Sequence, residues 1–199
     1  MGVYVKICGL SEPAHVAAAV EAGADAIGFV MTRSPRRVTP ERAAELAAAV
    51  PGHVLTVGVF RGEDPETVRA AALTSGVRAI QLHGRHPHAD FLALRDLGVS
   101  LVRAVDSGAD LRCGAYDEDL LLVDAPHAGS GQPWDWAAVR GRPSGRWLLA
   151  GGLSPDNVTE AIAAADPWGV DVSSGVETAP GVKDPALIEA FLKAVRGAG

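Results

Sequence analysis

Five polar side chains stand near the ends of short apolar runs, where titratable groups can meet a substrate. They are Cys8 in "VYVKICGL", Gln81 and His83 in "AIQLHG", Asp124 in "LLLVDA" and Asp171 in "GVDVSS". Each run has strand length, and side chains alternate between the two faces of a strand. In the first run Val3, Val5 and Ile7 share an apolar face, while Tyr4, Lys6 and Cys8 share the other. The same parity turns Gln81, His83, Asp124 and Asp171 inward with Cys8, so a thiol, an imidazole, an amide and two carboxyl groups converge on one mouth. Singly, each has a plainer reading, since a cysteine at a strand end usually packs. Lys6, one layer below Cys8, needs a carboxylate because a lone buried ammonium is expensive. Asp171 is its expected partner if the first and last strands become neighbours. That ammonium is also expected to favour a thiolate at Cys8.

Two further stretches point to an anion. "AGGLSPDNV" and "SSGVETAPGVKD" are small-residue turns, the first leading into a helix start, and they hold Gly151, Gly152, Ser174 and Gly175. Backbone N–H groups in such turns approach an anion closely, and helix N-termini favour negative charge. No Lys or Arg lies within "AGGLSPDN" or "SSGVE", so a phosphate is expected on the N–H groups of Gly152 and Ser174-Gly175. "SPRR" puts Arg36 and Arg37 in the loop after the second run. One of these guanidinium groups is expected across the mouth from the phosphate turns, forked onto a second anionic group of the ligand. "HGRHPH" does not set His83, His86 and His88 on one face of a regular element, and no acidic residue is embedded in it. No metal is expected there, and His86 and His88 read as surface loop residues.

The elements that must carry these groups alternate without a break. Strand candidates are "VYVKIC", "DAIGFV", "HVLTVGVF", "VRAIQLHG", "SLVRAV", "DLLLVDA", "RWLLAGG" and "GVDVSS". Helical runs such as "EPAHVAAAVEAG", "PERAAELAAAV", "HADFLALRDLG", "SPDNVTEAIAAAD" and "DPALIEAFLKAVRG" lie between and after them, several with Ser, Asp or Pro at the start and Gly at the end. Another covers residues 64 to 76, and the fifth, between Ser107 and Asp119, reads as a single turn or a loop. Eight strands, each followed by a helical run at roughly 25 residues per cycle, predict a (β/α)8 TIM barrel with a short or irregular fifth helix. A doubly wound open sheet is the competitor and usually has fewer cycles. No linker breaks the series, so residues 1–199 are expected to form one catalytic domain with short loops. In such barrels the site lies at the C-terminal strand ends, and the loops after strands 7 and 8 are the usual phosphate site. That makes a sugar phosphate the favoured ligand.

Composition narrows the class. An apolar share of 48% can fill a sizeable core. The net charge of −6 argues against a nucleic-acid surface, which selects basic faces. The longest apolar runs are too short to span a membrane, and no charged leader precedes an apolar stretch at the N-terminus. Two cysteines, Cys8 and Cys113, are a poor disulfide framework and suit a reducing cytoplasm.

Taken together, "VKICGL", "GADAIGFV", "SPRRVTPE", "VGVF", "AIQLHG", "GSGQPWDW", "LAGGLSPDNV" and "VDVSSGVETAPGVKD" resemble the phosphoribosylanthranilate isomerase family of tryptophan biosynthesis, in its order and spacing and over most of the chain. Two departures stand out. Ala128 replaces the usual first Gly of a Gly-Gly-Ser/Thr-Gly loop, and Trp134 replaces a usual Phe. The resemblance implies an Amadori rearrangement of N-(5′-phosphoribosyl)anthranilate, with Cys8 as general base and Asp124 as general acid. It also implies that Arg36 holds the anthranilate carboxylate, that His83 lies beside the ring and that Asp171 lies near the sugar. Such a reaction moves hydrogens within one molecule, so no cofactor or metal is expected. The rival readings are the histidine-pathway isomerase, a bifunctional phosphoribosyl isomerase, and a non-catalytic sugar-phosphate-binding relative. The first needs a second phosphate cradle and relies on two aspartates, whereas strand 1 here carries Cys8 and the "SPRR" loop lacks a glycine pair. The last would be signalled by loss of the acid or the base, and both are present.

Overall fold

The chain builds eight parallel strands that close on themselves in sequence order. They are β1 (Tyr4–Cys8), β2 (Ala26–Val30), β3 (Leu55–Phe60), β4 (Ala79–His83), β5 (Ser100–Asp106), β6 (Leu120–Asp124), β7 (Trp147–Leu149) and β8 (Gly169–Val172). The computed structural model describes residues 2–126 and 134–197, so Ala128 and most of "GSGQPWDW" lie outside the described residues. Closure pairs β1 with β8 in parallel, with Lys6 in register with Asp171. The expected barrel is therefore the fold.

Helices α1 (Pro13–Glu21), α2 (Pro40–Ala47) and α3 (Pro65–Ser75) each begin on proline, which costs nothing where the N–H would have no helical partner. Thr39 and Asp64 cap the last two, accepting from the N–H groups of Arg42 and Thr67 at 3.2 and 2.9 Å. The short α4 (His88–Leu92) runs on into a 3-10 turn at Arg95–Leu97. A helix after every strand is not what forms. Residues 107–119, after β5, form turns and one isolated bridge, Arg112 with Ser144, as the single-turn-or-loop reading expects, and after β6 the described residues hold a single 3-10 turn, Trp136–Val139. The reason shows in Arg103, which points outward from β5 and is buried where a helix would pack. It donates to Glu118 at 2.7 Å and to the carbonyls of Asp110 and Arg112 at 3.0 and 2.8 Å, and it lies over the Tyr116 ring. One satisfied guanidinium organises the loop in place of an apolar helix face.

Helix α5 (Val158–Ala165) begins four residues later than "SPDNVTEAIAAAD" predicts. Asn157 folds back instead, accepting from the Ser154 N–H at 2.8 Å and donating to the Gly152 carbonyl at 2.9 Å. A small hairpin, β9 (Glu177–Ala179) with β10 (Val182–Lys183), leads into the long α6 (Pro185–Gly197).

Outward-facing Val5, Ile7, Ile27, Phe29, Ile80, Leu82, Leu121 and Val170 pack with the helices into one core. Each such side chain, fully buried, contributes about 1.5–3 kcal/mol. Inside the barrel the apolar groups divide into two patches, one around Val57, Val59 and Ala79, the other around Val102, Leu120, Leu122 and Leu148. Lys6, Gln81 and Asp171 are buried among the inward-facing residues. Tyr4 stacks on Trp168 at 4.6 Å between centroids below them. The polar interior is thus reached from the C-terminal mouth.

Candidate active site

Cys8 ends β1 and is nearly buried. Gly9 follows with φ +81°, and a Cβ there would stand 2.7 Å from Cδ of Arg36. The glycine therefore does two things: it turns the chain at once, and it lets Arg36 lie across the strand end. Below, Lys6 Nζ donates to Asp171 Oδ1 at 2.7 Å, with the lysine fully buried, so the expected pair forms. Burial works against the Lys6 charge, but Asp171 and Cys8 outweigh it and raise the Lys6 pKa. Lys6 does favour the Cys8 thiolate, as expected, but it is not the larger effect. Burial pushes the Cys8 thiol up, and Lys6, whose charge Asp171 already balances, offsets this only in part.

Cys8, Gln81, His83, Asp124 and Asp171 line one pocket at the mouth, together with Arg36, Arg61 and Ser173. The inward set inferred from strand parity is thus brought together. Burial, with Arg61 nearby, pushes the His83 pKa down to about 4, so the ring is neutral at ordinary pH. His83 Nε2 is 3.7 Å from Asp124 Oδ2, too far for a hydrogen bond. Asp124 Oδ1 accepts from the Ala125 N–H at 2.8 Å. Burial nevertheless raises the Asp124 carboxyl to about 6, with Asp171 adding to the rise. A carboxyl at that value still holds a proton in a useful minority near neutrality, as a general acid must. Gln81 is buried on the same wall, and its Oε1 has no hydrogen-bond partner among the described residues.

A second, smaller hollow adjoins the first, lined by Gly151, Gly152, Leu153 and Ser174; Arg36, Asp124, Asp171 and Ser173 line both. The N–H groups of Gly151 and Gly152 have no acceptor among the described residues. Gly175 does not line the hollow. A Cβ there would collide with the Leu153 carbonyl, so the absence of a side chain lets the two turns touch. Arg36 also departs from expectation: it stands beside the phosphate turns, not across the mouth from them.

Sequence reasoning missed what holds Arg36. Glu177 accepts from its Nε and Nη2 at 2.7 and 2.8 Å, and Lys183 Nζ donates to the same carboxylate at 2.7 Å. Both residues lie in the quoted motif "SSGVETAPGVKD", but no local spacing signals that the hairpin folds back over the "SPRR" loop. Arg61, which follows β3, is a further residue of the mouth that no motif singles out. His86 was misread as a surface residue: it is buried, with Nδ1 2.9 Å from Asp90 and Nε2 accepting from the Gly62 N–H at 3.2 Å. His88 is exposed as expected and sits 2.6 Å from Asp117. Trp134 donates from its indole to the Ala150 carbonyl at 3.1 Å, a bond that phenylalanine lacks.

Comparison with known proteins points to one family. Residues 5–194 match the family described as N-(5′-phosphoribosyl)anthranilate (PRA) isomerase. The N-(5′-phosphoribosyl)anthranilate isomerase of Paracoccus denitrificans is 44% identical, with 96% of each chain covered. That of Rubrobacter xylanophilus is 42% identical over 96% of this chain and 98% of the relative. Among solved structures, TrpF from Jonesia denitrificans superposes with a TM-score of 0.89 at 48% identity, covering 98% of both chains. A phosphoribosyl anthranilate isomerase in complex with reduced 1-(o-carboxyphenylamino)-1-deoxyribulose 5-phosphate superposes with a TM-score of 0.85 at 36% identity, covering 98% of this chain and 99% of that one.

Proposed function

Because this chain belongs to the N-(5′-phosphoribosyl)anthranilate isomerase family of tryptophan biosynthesis, we propose that it rearranges N-(5′-phosphoribosyl)anthranilate to 1-(2-carboxyphenylamino)-1-deoxyribulose 5-phosphate with Asp124 as acid and Cys8 as base. Asp124 protonates the furanose ring oxygen, and the ring opens to a Schiff base. Cys8 then removes the proton from C2′, giving an enolamine that tautomerises to the ketone. The phosphate rests on the backbone of Gly151, Gly152 and Ser174, and Arg36 meets the anthranilate carboxylate. His83 and Asp171 flank the sugar, and neutral His83 adds no charge beside the acid.

One observation carries this reading. A buried thiol and a carboxyl raised to about 6 line one pocket that opens onto an anion-ready turn. No step draws on a metal or an external electron carrier, since the hydrogens move within one molecule. The described residues hold no helix long and apolar enough to cross a membrane, and a cytoplasmic enzyme acting on a small diffusible substrate is the consistent setting.

The test is turnover of freshly made substrate, followed by the loss of anthranilate fluorescence. Cys8→Ala and Asp124→Asn are each expected to lower kcat by roughly 10²–10⁴-fold with little change in substrate affinity. Cys8→Ser is expected to be almost as poor, since a hydroxyl is a far weaker base than a thiolate. Near-normal turnover by Cys8→Ala would remove the base from the mechanism.

A further inference from the structure

Arg36 and Lys183 are two cations gathered on a single carboxylate. Glu177, whose side chain is 4% exposed, takes the Nε edge of Arg36, the Lys183 ammonium and, at 3.3 Å, the N–H of Gly181. Lys183 Nζ also donates to the carbonyl and hydroxyl of Ser173 at 2.8 and 3.2 Å. Ser173 directly precedes the phosphate turn. The hairpin that carries Glu177 and Lys183 is seated on the arginine loop as well, because a Cβ at Gly181 would stand 2.6 Å from the Pro35 carbonyl oxygen. An unbroken line of contacts therefore runs from the phosphate turn through Ser173, Lys183 and Glu177 to Arg36.

Two features of this line bear on ligand choice. The trio carries two positive charges against one negative, so one positive charge in a largely buried cluster is left for an anion from outside. In addition, a guanidinium forked onto a carboxylate through Nε and Nη2 keeps Nη1 and the second Nη2 hydrogen for another acceptor. Arg36 lines both hollows, which puts it within reach of a molecule that occupies them together.

We propose that Glu177 and Lys183 are positioning residues that fix the spacing between the phosphate turn and Arg36, and thereby select a substrate carrying a phosphate at one end and a carboxylate at the other. The proposal rests on the reading that Arg36 meets the substrate carboxylate. Glu177 aims the guanidinium, and Lys183 ties that aim to the turn at Ser173.

The experiment compares kinetics with binding of two probes, inorganic phosphate and the reduced aminoketose phosphate analogue. Glu177→Gln keeps the shape and removes the charge. It is expected to raise KM and weaken the analogue by roughly 10–100-fold, the value of a lost charge-assisted hydrogen bond, while kcat moves much less and phosphate binding stays as in the parent. Glu177→Asp draws the carboxylate back by one methylene and is expected to fall between. Lys183→Met is expected to weaken both probes. The double variant Arg36→Met, Glu177→Gln is expected to be no worse than Arg36→Met alone, because Glu177 acts through Arg36. Unchanged KM in folded Glu177→Gln or Glu177→Asp, or full additivity in the double variant, overturns the proposal, and an unaltered phosphate affinity in Lys183→Met removes the tie to the turn. If Arg36→Met itself leaves KM unchanged, the underlying carboxylate reading fails instead.

Discussion

At the scale of single residues, the acid and the base hold their protons in the wrong order. Asp124 must be protonated to act and has a pKa of about 6, whereas Cys8 must be ionised and burial raises its thiol above the usual range. With one proton shared between them, the commoner arrangement is carboxylate with thiol, and the working one is its minor tautomer. The fraction of that tautomer is constant between the two pKa values and falls outside them. The pH profile of kcat/KM should therefore be a bell. Its rising limb, near pH 6, reports Asp124, because below it the pair carries two protons and Cys8 cannot be free. Its falling limb, above the ordinary thiol range, reports Cys8, because beyond it Asp124 has lost its proton. Asp124→Asn should erase the limb near pH 6 from whatever activity remains. A rising limb that stays in Asp124→Asn would assign it to another group and break this pairing of roles. The arrangement costs rate at every pH, and Lys6 limits that cost by opposing the upward push on Cys8.

At the scale of elements, the barrel is closed by β8 returning to β1, and Lys6 with Asp171 is the polar contact across that seam. Removing one partner of a buried pair strands the other, at about 3–5 kcal/mol, whereas replacing both with apolar groups is often nearly neutral. Lys6→Met should therefore lower unfolding stability by about that amount, and Lys6→Met with Asp171→Leu should recover most of it. Chemical denaturation measures both, and parental stability in Lys6→Met would show that the seam does not depend on the pair. This contact was legible in the sequence because strand parity and barrel closure together fix which inward residues face each other. Strand parity likewise gave the inward placement of Gln81, His83 and Asp124. Helices were less legible, because propensity does not report what a helix would pack on. The segment 107–119 is the loop its sequence reads as, but that Arg103 fills the space behind β5 in place of a helix is not visible locally. Ser154 to Asn157 stayed out of α5 because the Asn157 side chain bonds back to the glycine turn. The setting of Arg36 was least legible of all. Its partner Glu177 is 141 residues away and comes from a hairpin whose strands hold three and two residues. His86 shows the same limit: its burial depends on contacts from the β3–α3 loop and from Asp90 together.

At the scale of the whole molecule, the protons that serve the reaction also enter the stability of the barrel. His83 is held at about 4 in the folded chain against an ordinary 6.5, so its contribution is complete above pH 6.5 and is lost as the pH falls toward 4. Asp124 works in the opposite sense. Its folded value of about 6 against an ordinary 3.8 gives a contribution that is complete below pH 3.8 and is lost as the pH rises to 6. Between pH 4 and 6 the native state binds one proton more than the unfolded chain at Asp124 and one fewer at His83. The two slopes cancel, and each alone amounts to about 2–3 kcal/mol across the window. Single substitutions should unmask them. Relative to the parent, Asp124→Asn should lose about 2–3 kcal/mol of stability as the pH is lowered from 6 to 4, because His83 is then unopposed. His83→Gln should gain relative stability over the same interval, because the Asp124 slope remains. Denaturant titrations at several values from pH 4 to 7 read both differences directly, and the constant offset of each substitution drops out. A difference that stays flat for Asp124→Asn would mean that its carboxyl is not raised in the folded state. The rising limb of the rate profile near pH 6 would then have to come from another group, so one equilibrium measurement on the whole chain bears on the acid in the site.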